Sequence, residues 1–137
     1  MVRSADYRKT FTEGCIKYAQ NLGVSASLAN RAYSSVTKSL KRLRNEEDKG
    51  EEFLRDLTVH GNPWIRVLAS AFLLPIAEEF AKIRLEELSA ELDSDPLLST
   101  RLAGFEARQL LEQWALGRLR LHLMNGEVEI PPWQITP

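Results

Sequence analysis

One cysteine stands among the 137 residues of this chain. Cys15 has no partner for a disulfide within the chain, and nothing in the composition asks for an oxidising compartment. Histidine is nearly as scarce. His60 and His122 lie far from each other and from Cys15, without the ligand spacing of a zinc site. Long apolar runs are missing too. The longest, Val67 to Ala77, is interrupted by Ser70 and Pro75. It falls well short of the roughly 20 residues that a membrane helix needs and reads as a buried helix. The opening, MVRSADYRKTF, has no apolar segment of the secretory kind. These shortages lead to the expectation of a cytoplasmic protein with no membrane contact, no metal and no cofactor.

Catalytic signatures are equally absent. There is no glycine-rich phosphate loop, no HExxH, no CxxC and no serine in a nucleophile elbow. His60 precedes a Gly-Asn-Pro turn and reads as a turn residue. His122 falls near a helix end, where the partial negative charge of the last carbonyls favours its proton. Glu78-Glu79 and Glu86-Glu87 are eight residues apart and recur on nearly the same side of a helix. A solvated acidic stripe is the reading there.

What the chain does hold is an ordinary supply of core formers, 44% hydrophobic against 27% charged residues. That suits one folded domain. Apolar residues recur with helical period, and no stretch of strict alternation competes. Tyr7, Phe11, Cys15, Tyr18 and Leu22 form one stripe of a first helix over about 6–22. Gly23 follows as a left-handed cap residue, with Val24 placed for the hydrophobic contact of that cap. A second helix starts from Ser25 or Ser27, ends near Asn45, and buries Ala29, Ala32, Tyr33, Val36, Leu40 and Leu43. A short helix carries Phe53, Leu54 and Leu57. Asn62-Pro63 is the clearest helix start in the chain, followed by Ile65, Leu68, Ala69, Phe72, Leu73 and Ile76. Pro75 ends or kinks that helix. The next runs to about Leu92, with Ala77, Phe80, Ala81, Leu85, Leu88 and Leu92 inward. A last long helix is expected from Ser99 to His122, lined by Ala103, Ala107, Leu110, Leu111 and Trp114, weakened near Gly117 and closed by Asn125-Gly126. Phe72, Leu73, Phe80, Leu88, Leu111 and Trp114 are expected to be nearly inaccessible. The domain therefore spans 1–126, and residues 127–137, with three prolines, form an extended tail.

Charge is uneven along the chain. Residues 1–44 carry nine Lys/Arg against two acids, while the remainder carries nine against seventeen. Two readings stay open: a partner-binding face, or a basic helix beside acidic ones in one domain. Arg31, Lys38, Lys41 and Arg42 share the polar face of the second helix. Phosphate binding needs such a cluster. No aromatic interleaves with the basic run KSLKRLRN (38–45), which does not support stacking on single strands.

The six longer elements make three antiparallel pairs. Their second helices start near Ser25, Pro63 and Ser99, which are 38 and 36 residues apart. That is close to the period of two-helix repeats. NPWIRVLASAFLL resembles the second helix of a HEAT repeat: an Asn-Pro turn, the Ile65-Arg66 pair, then Ala69, Phe72 and Leu73. LAGFEARQLLEQWALGRL, following that unit, is similar to a family of short bacterial helical-repeat proteins of unknown function. The two matches cover about residues 46–120. The first unit lacks the Pro-Arg signature. The resemblance implies a short right-handed α-α superhelix, a HEAT-like solenoid of about three helix pairs. It also implies that Arg66 packs its stem between repeats and bonds a neighbouring turn.

The resulting expectation is a non-catalytic protein-interaction module, of the adaptor or immunity kind, working through a helical-repeat surface. The alternative is a nucleic-acid-binding protein that uses the basic face of the second helix. Candidate binding residues are Arg31, Lys38, Lys41, Arg42, Trp64, taken as a half-exposed anchor at a helix start, and Trp133 in the tail. Oligomeric state stays open.

Overall fold

Backbone N–H groups at a helix start need acceptors, and at the second, third and fourth helices of this chain local side chains supply them. The computed structural model describes residues 4–127. Seven helices and no strand occur among these residues: α1 (Ser4–Asn21), α2 (Ala26–Arg44), α3 (Glu51–Leu57), α4 (Pro63–Leu73), α5 (Glu78–Leu92), α6 (Leu98–Ala115) and α7 (Arg120–Asn125). The chain is all-α. Ser25 caps α2 by accepting from Leu28 N at 3.2 Å. Asn62 caps α4 by accepting from Trp64 N and Ile65 N, with Pro63 in the first turn. Asp48 serves α3 by accepting from Gly50 N and Glu52 N, which holds its carboxyl below the usual range.

The chain order pairs α1 with α2, α3 with α4, and α5 with α6. α4 is the hub, packed against α1, α3, α5, α6 and α7. Its sequence explains this. Every residue from Trp64 to Leu73 except Arg66 is buried, and a helix apolar all round has to be surrounded. Phe72 lies edge-on to Phe11 of α1, with ring centroids 5.8 Å apart. Where α1 crosses α2, a Cβ on Gly14 would stand 2.8 Å from Val36 Cγ2, so only glycine permits the approach.

Several expectations need correction. The last helix is two. Gly117 takes φ +74 and stops α6, with Gly117 N bonded to Trp114 O and Arg118 N to Gln113 O. This is the paired-bond stop that a left-handed glycine makes possible. The chain turns, and α7 runs from Arg120 until Gly126 closes it at φ +80. Gly23 is left-handed as expected, but Val24 is 78% exposed and makes no apolar contact for the cap. Phe80 and Leu111 are half-buried rather than inaccessible, since both sit at the margin of the core. Over Phe80 lies the Arg55 guanidinium, 4.2 Å from the ring centre. Arg66 meets Glu91 at 3.6 Å and its buried Nε has no hydrogen-bond partner. The arginine that ties a turn is Arg84 of α5, whose Nε and Nη2 both donate to Thr58 O at the end of α3.

Candidate functional site

α2 contains no acidic residue in 19 positions. Its inner face holds Val36, Leu40 and Leu43 in the core, which fixes the rotation of the helix. That rotation turns Arg31, Lys38, Lys41 and Arg42 outward, and all four are exposed. From Arg31 to Arg42 the rise of an α-helix gives about 16 Å of cationic edge. Among the described residues none of the four side chains has an ion-pair partner. Elsewhere among the described residues most cations are engaged. Arg8 bonds Glu46 at 2.6 Å, Arg55 bonds Glu51, and Lys82 meets Glu78.

The surface beside these cations is shallow and hydroxyl-rich. One groove between α1 and α2 is lined by Asp6, Tyr7 and Thr10 with Ser35, Lys38, Ser39 and Arg42. It continues along α2 past Ser34, Arg31, Asn30 and Ser27. At its other end Tyr7 and Arg42 meet Asn45 and Glu46. Tyr7 therefore supplies the aromatic that the basic run 38–45 lacks, from a different helix. Its hydroxyl donates to Glu46, and burial with that bond raises its pKa. Asp6 and Glu46 place carboxylates at the margins of the same groove, so the surface is cationic but not uniformly so.

Arg44 completes the basic run in sequence but not in space. It turns inward and donates to the carbonyls of Met124 (2.6 Å), Leu123 (2.7 Å), Lys49 (3.0 Å) and Phe72. Two of these carbonyls close α7 and one lies at the end of α4, where helix dipoles favour a cation. Burial lowers the Arg44 pKa to about 10. Arg44 is a bolt between α2, α4 and α7, not part of a binding face.

Trp64 is not an exposed anchor. It is buried, stands edge-on to Tyr18, and donates Nε1–H to Ser99 O at 3.0 Å. The indole needed a partner once buried, and the first turn of α6 provides it. Around it lies an inner aromatic group that no local pattern announces. Tyr18 and Tyr33 lie 5.1 Å apart, and His122 stacks on Tyr33 and shares a hydrogen bond with its hydroxyl. Burial raises the pKa of both tyrosines, and that of nearby Glu106. The cluster joins α1, α2, α4 and α7, and burial likewise pushes up the Cys15 thiol beside it. His60 accepts from Asn62 N at 3.0 Å, a turn residue as expected. The acidic pairs 78–79 and 86–87 are exposed on α5, and Glu78 also accepts from Trp114 Nε1.

Trp133 and the rest of the tail after Glu127 lie outside the described residues. Among the described residues no group of three His, Cys, Asp or Glu side chains is placed to hold a metal, and no helix is long and apolar enough to cross a membrane. Comparison with family models, with curated proteins and with solved structures gives no match for this chain.

Proposed function

We propose that this chain is a non-catalytic interaction module that docks an acidic partner protein on the outer face of α2. The observation that carries the reading is the set of four exposed cations without ion-pair partners, in a molecule whose other cations are mostly engaged. Unneutralised charge of one sign on one face steers a partner of the other sign and sets its register. Asp6 and Glu46 favour a protein over a polyanion, because a folded partner matches mixed charge and a phosphate chain does not. The three sequential helix pairs support reading the body as a short right-handed superhelix of the HEAT kind, a build that commonly binds through an extended face.

A second reading has one observation in its favour. Tyr7 beside Lys38 and Arg42, with the Ser35, Ser39 and Thr10 hydroxyls, offers a ring, cations and small donors to a nucleic acid. Two probes separate the readings: a labelled glutamate-rich peptide and a labelled single-stranded oligonucleotide, each titrated over a range of salt. The first reading expects the peptide to bind and the Lys38→Glu, Lys41→Glu, Arg42→Glu triple variant to lose it with unchanged helix content. The second expects tighter oligonucleotide binding, weakening with salt as about three or four phosphates are neutralised. Binding of neither probe at low salt ends both.

A further inference from the structure

The first half of α6 is built inside out. Its buried positions there are Thr100, Ala103, Gly104 and Ala107, while Leu98, Leu102 and Phe105 point away from the core; farther along Trp114 is buried and Leu110 and Leu111 pack against the core. Leu98, Leu102 and Phe105 are 62%, 45% and 53% exposed, and Leu116, just past the helix end, is 62% exposed. Small inner residues bring the backbone close to α5. A Cβ on Gly104 would stand 3.0 Å from Leu92 Cβ. Over these first turns the bulk that a water-facing helix normally buries is displayed instead.

The displayed residues follow a strict order. Positions 98, 102, 105, 109, 112 and 116 alternate steps of four and three, the spacing of a coiled-coil seam. They read Leu, Leu, Phe, Gln, Glu, Leu. Such a seam accepts the side chains of another helix as knobs into holes; an extended strand, with its period of two, does not match it. Along one edge stand Arg101 and Arg108, one heptad apart and both exposed. Arg101 donates to Asp95 O at 3.1 Å, and Arg108 lies 3.5 Å from Asp93. Each guanidinium retains further donors for a carboxylate.

A second copy of this chain fits the seam poorly. Two-fold pairing of antiparallel α6 helices lays the same edge of each copy together, so arginine meets arginine when 101 lies opposite 101 or 108, or 108 opposite 108. Parallel pairing in register sets Glu112 against Glu112 of the other copy inside the seam. We propose that the outer face of α6 is a docking seam for a helix of another protein. That helix carries an apolar stripe of heptad spacing and a row of carboxylates along the edge that meets Arg101 and Arg108. This surface is separate from the α2 face and does not depend on it.

The test uses the full chain and a labelled peptide of about three heptads, with Leu in the seam and Glu in the flanking positions, against a twin with Lys flanks. The Glu peptide binds at least roughly tenfold more tightly than its twin, since opposed charge at the flanks sets partner choice. Phe105→Asp abolishes binding while the circular dichroism stays that of the parent chain. Arg101→Glu with Arg108→Glu reverses the preference between the peptides. Equal binding of both peptides, binding of neither, or binding that survives Phe105→Asp overturns the proposal. So does a dimer in sedimentation that Phe105→Asp dissolves, which gives the seam to a second copy. Binding seen only after truncation beyond Gly126 overturns it too and gives the seam to the tail.

Discussion

α2 and α6 hold the same place in their helix pairs and differ by one residue in length, yet their outer faces are opposite in kind. α2 places Val36, Leu40 and Leu43 inside and leaves cations, serines and Asn30 outside. α6 places Ala103, Gly104 and Ala107 inside and leaves Leu98, Leu102 and Phe105 outside. Both pairs are drawn tight by a glycine. In the first pair it sits on α1, as Gly14, so α2 brings the bulk to the contact. In the third it sits on α6 itself, as Gly104, and Leu98, Leu102 and Phe105 around it are left for the other side, while Trp114 turns inward only near the helix end. The difference shows that close packing of a pair does not decide what its outer face becomes. Which helix carries the small residue decides it.

The largest effect expected in this comparison lies inside α2. Arg42 and Arg44 are two residues apart, yet one is exposed and the other bonds four carbonyls. Arg44→Met strands those acceptors and should cost about 1–3 kcal/mol, as leaving buried acceptors without their donor does. Arg42→Met should stay within about 0.5 kcal/mol of the parent, as surface changes usually do. Urea unfolding of both variants measures it. Equal losses would mean that the basic run acts as one unit and that the division between face and bolt is wrong.

The same two arginines show what the sequence makes legible. Local signals came through. Ser25 and Asn62-Pro63 announce their helices because a cap needs only neighbours in the chain. The stripes of α1, α2 and α4 follow from period alone. Arg44 is illegible because three of its four acceptors belong to α4 and to α7, and α7 is hidden inside an expected longer helix. The apolar pattern runs on through Leu116, Leu119 and Leu123. Only the left-handed turn at Gly117 breaks it, and a glycine in a helical pattern is read as a weak point as readily as a stop. Trp64 failed for a similar reason. Its place in the first turn suggested exposure, but Tyr18 and the Ser99 carbonyl reach it from helices distant in sequence. On the α2 face, the positions of Arg31, Lys38, Lys41 and Arg42 were legible from spacing. Tyr7, Asp6 and Glu46 were not, because they enter from α1 and from the turn after α2.

A smaller effect tests the glycines. Gly14→Ala and Gly104→Ala each gain about 1 kcal/mol of helix propensity. Each also forces a methyl group into contact, at 2.8 Å from Val36 Cγ2 and 3.0 Å from Leu92 Cβ. Overpacking of that kind costs about 1–3 kcal/mol, so both variants should be less stable by about 1 kcal/mol, Gly14→Ala more so. Thermal unfolding reads the order. If Gly104→Ala is stabilising, α5 and α6 have room to part, and the outward turn of Leu102 and Phe105 is not imposed by close packing.

The smallest effect concerns the edge of α6 that faces the aromatic group. Burial raises the Glu106 pKa above its ordinary value. A carboxyl raised in the folded state is held best when protonated. Its contribution is fully present below the unfolded pKa and is lost as pH rises through the folded value. At neutral pH that contribution is reduced, so the carboxyl works against the fold. Glu106→Gln keeps the shape and removes the charge. Its melting temperature should exceed that of the parent at pH 7, and the gap should close as pH falls below the ordinary glutamate range. The parallel change at Glu112, exposed on the outer side of the same helix, should leave the melting temperature unchanged at either pH. A Glu106→Gln variant with the same melting temperature as the parent at pH 7 would mean that water reaches Glu106. The inner margin of α6 would then be as open as the face of α2, and the contrast between the two helices would rest on Leu98, Leu102 and Phe105 alone.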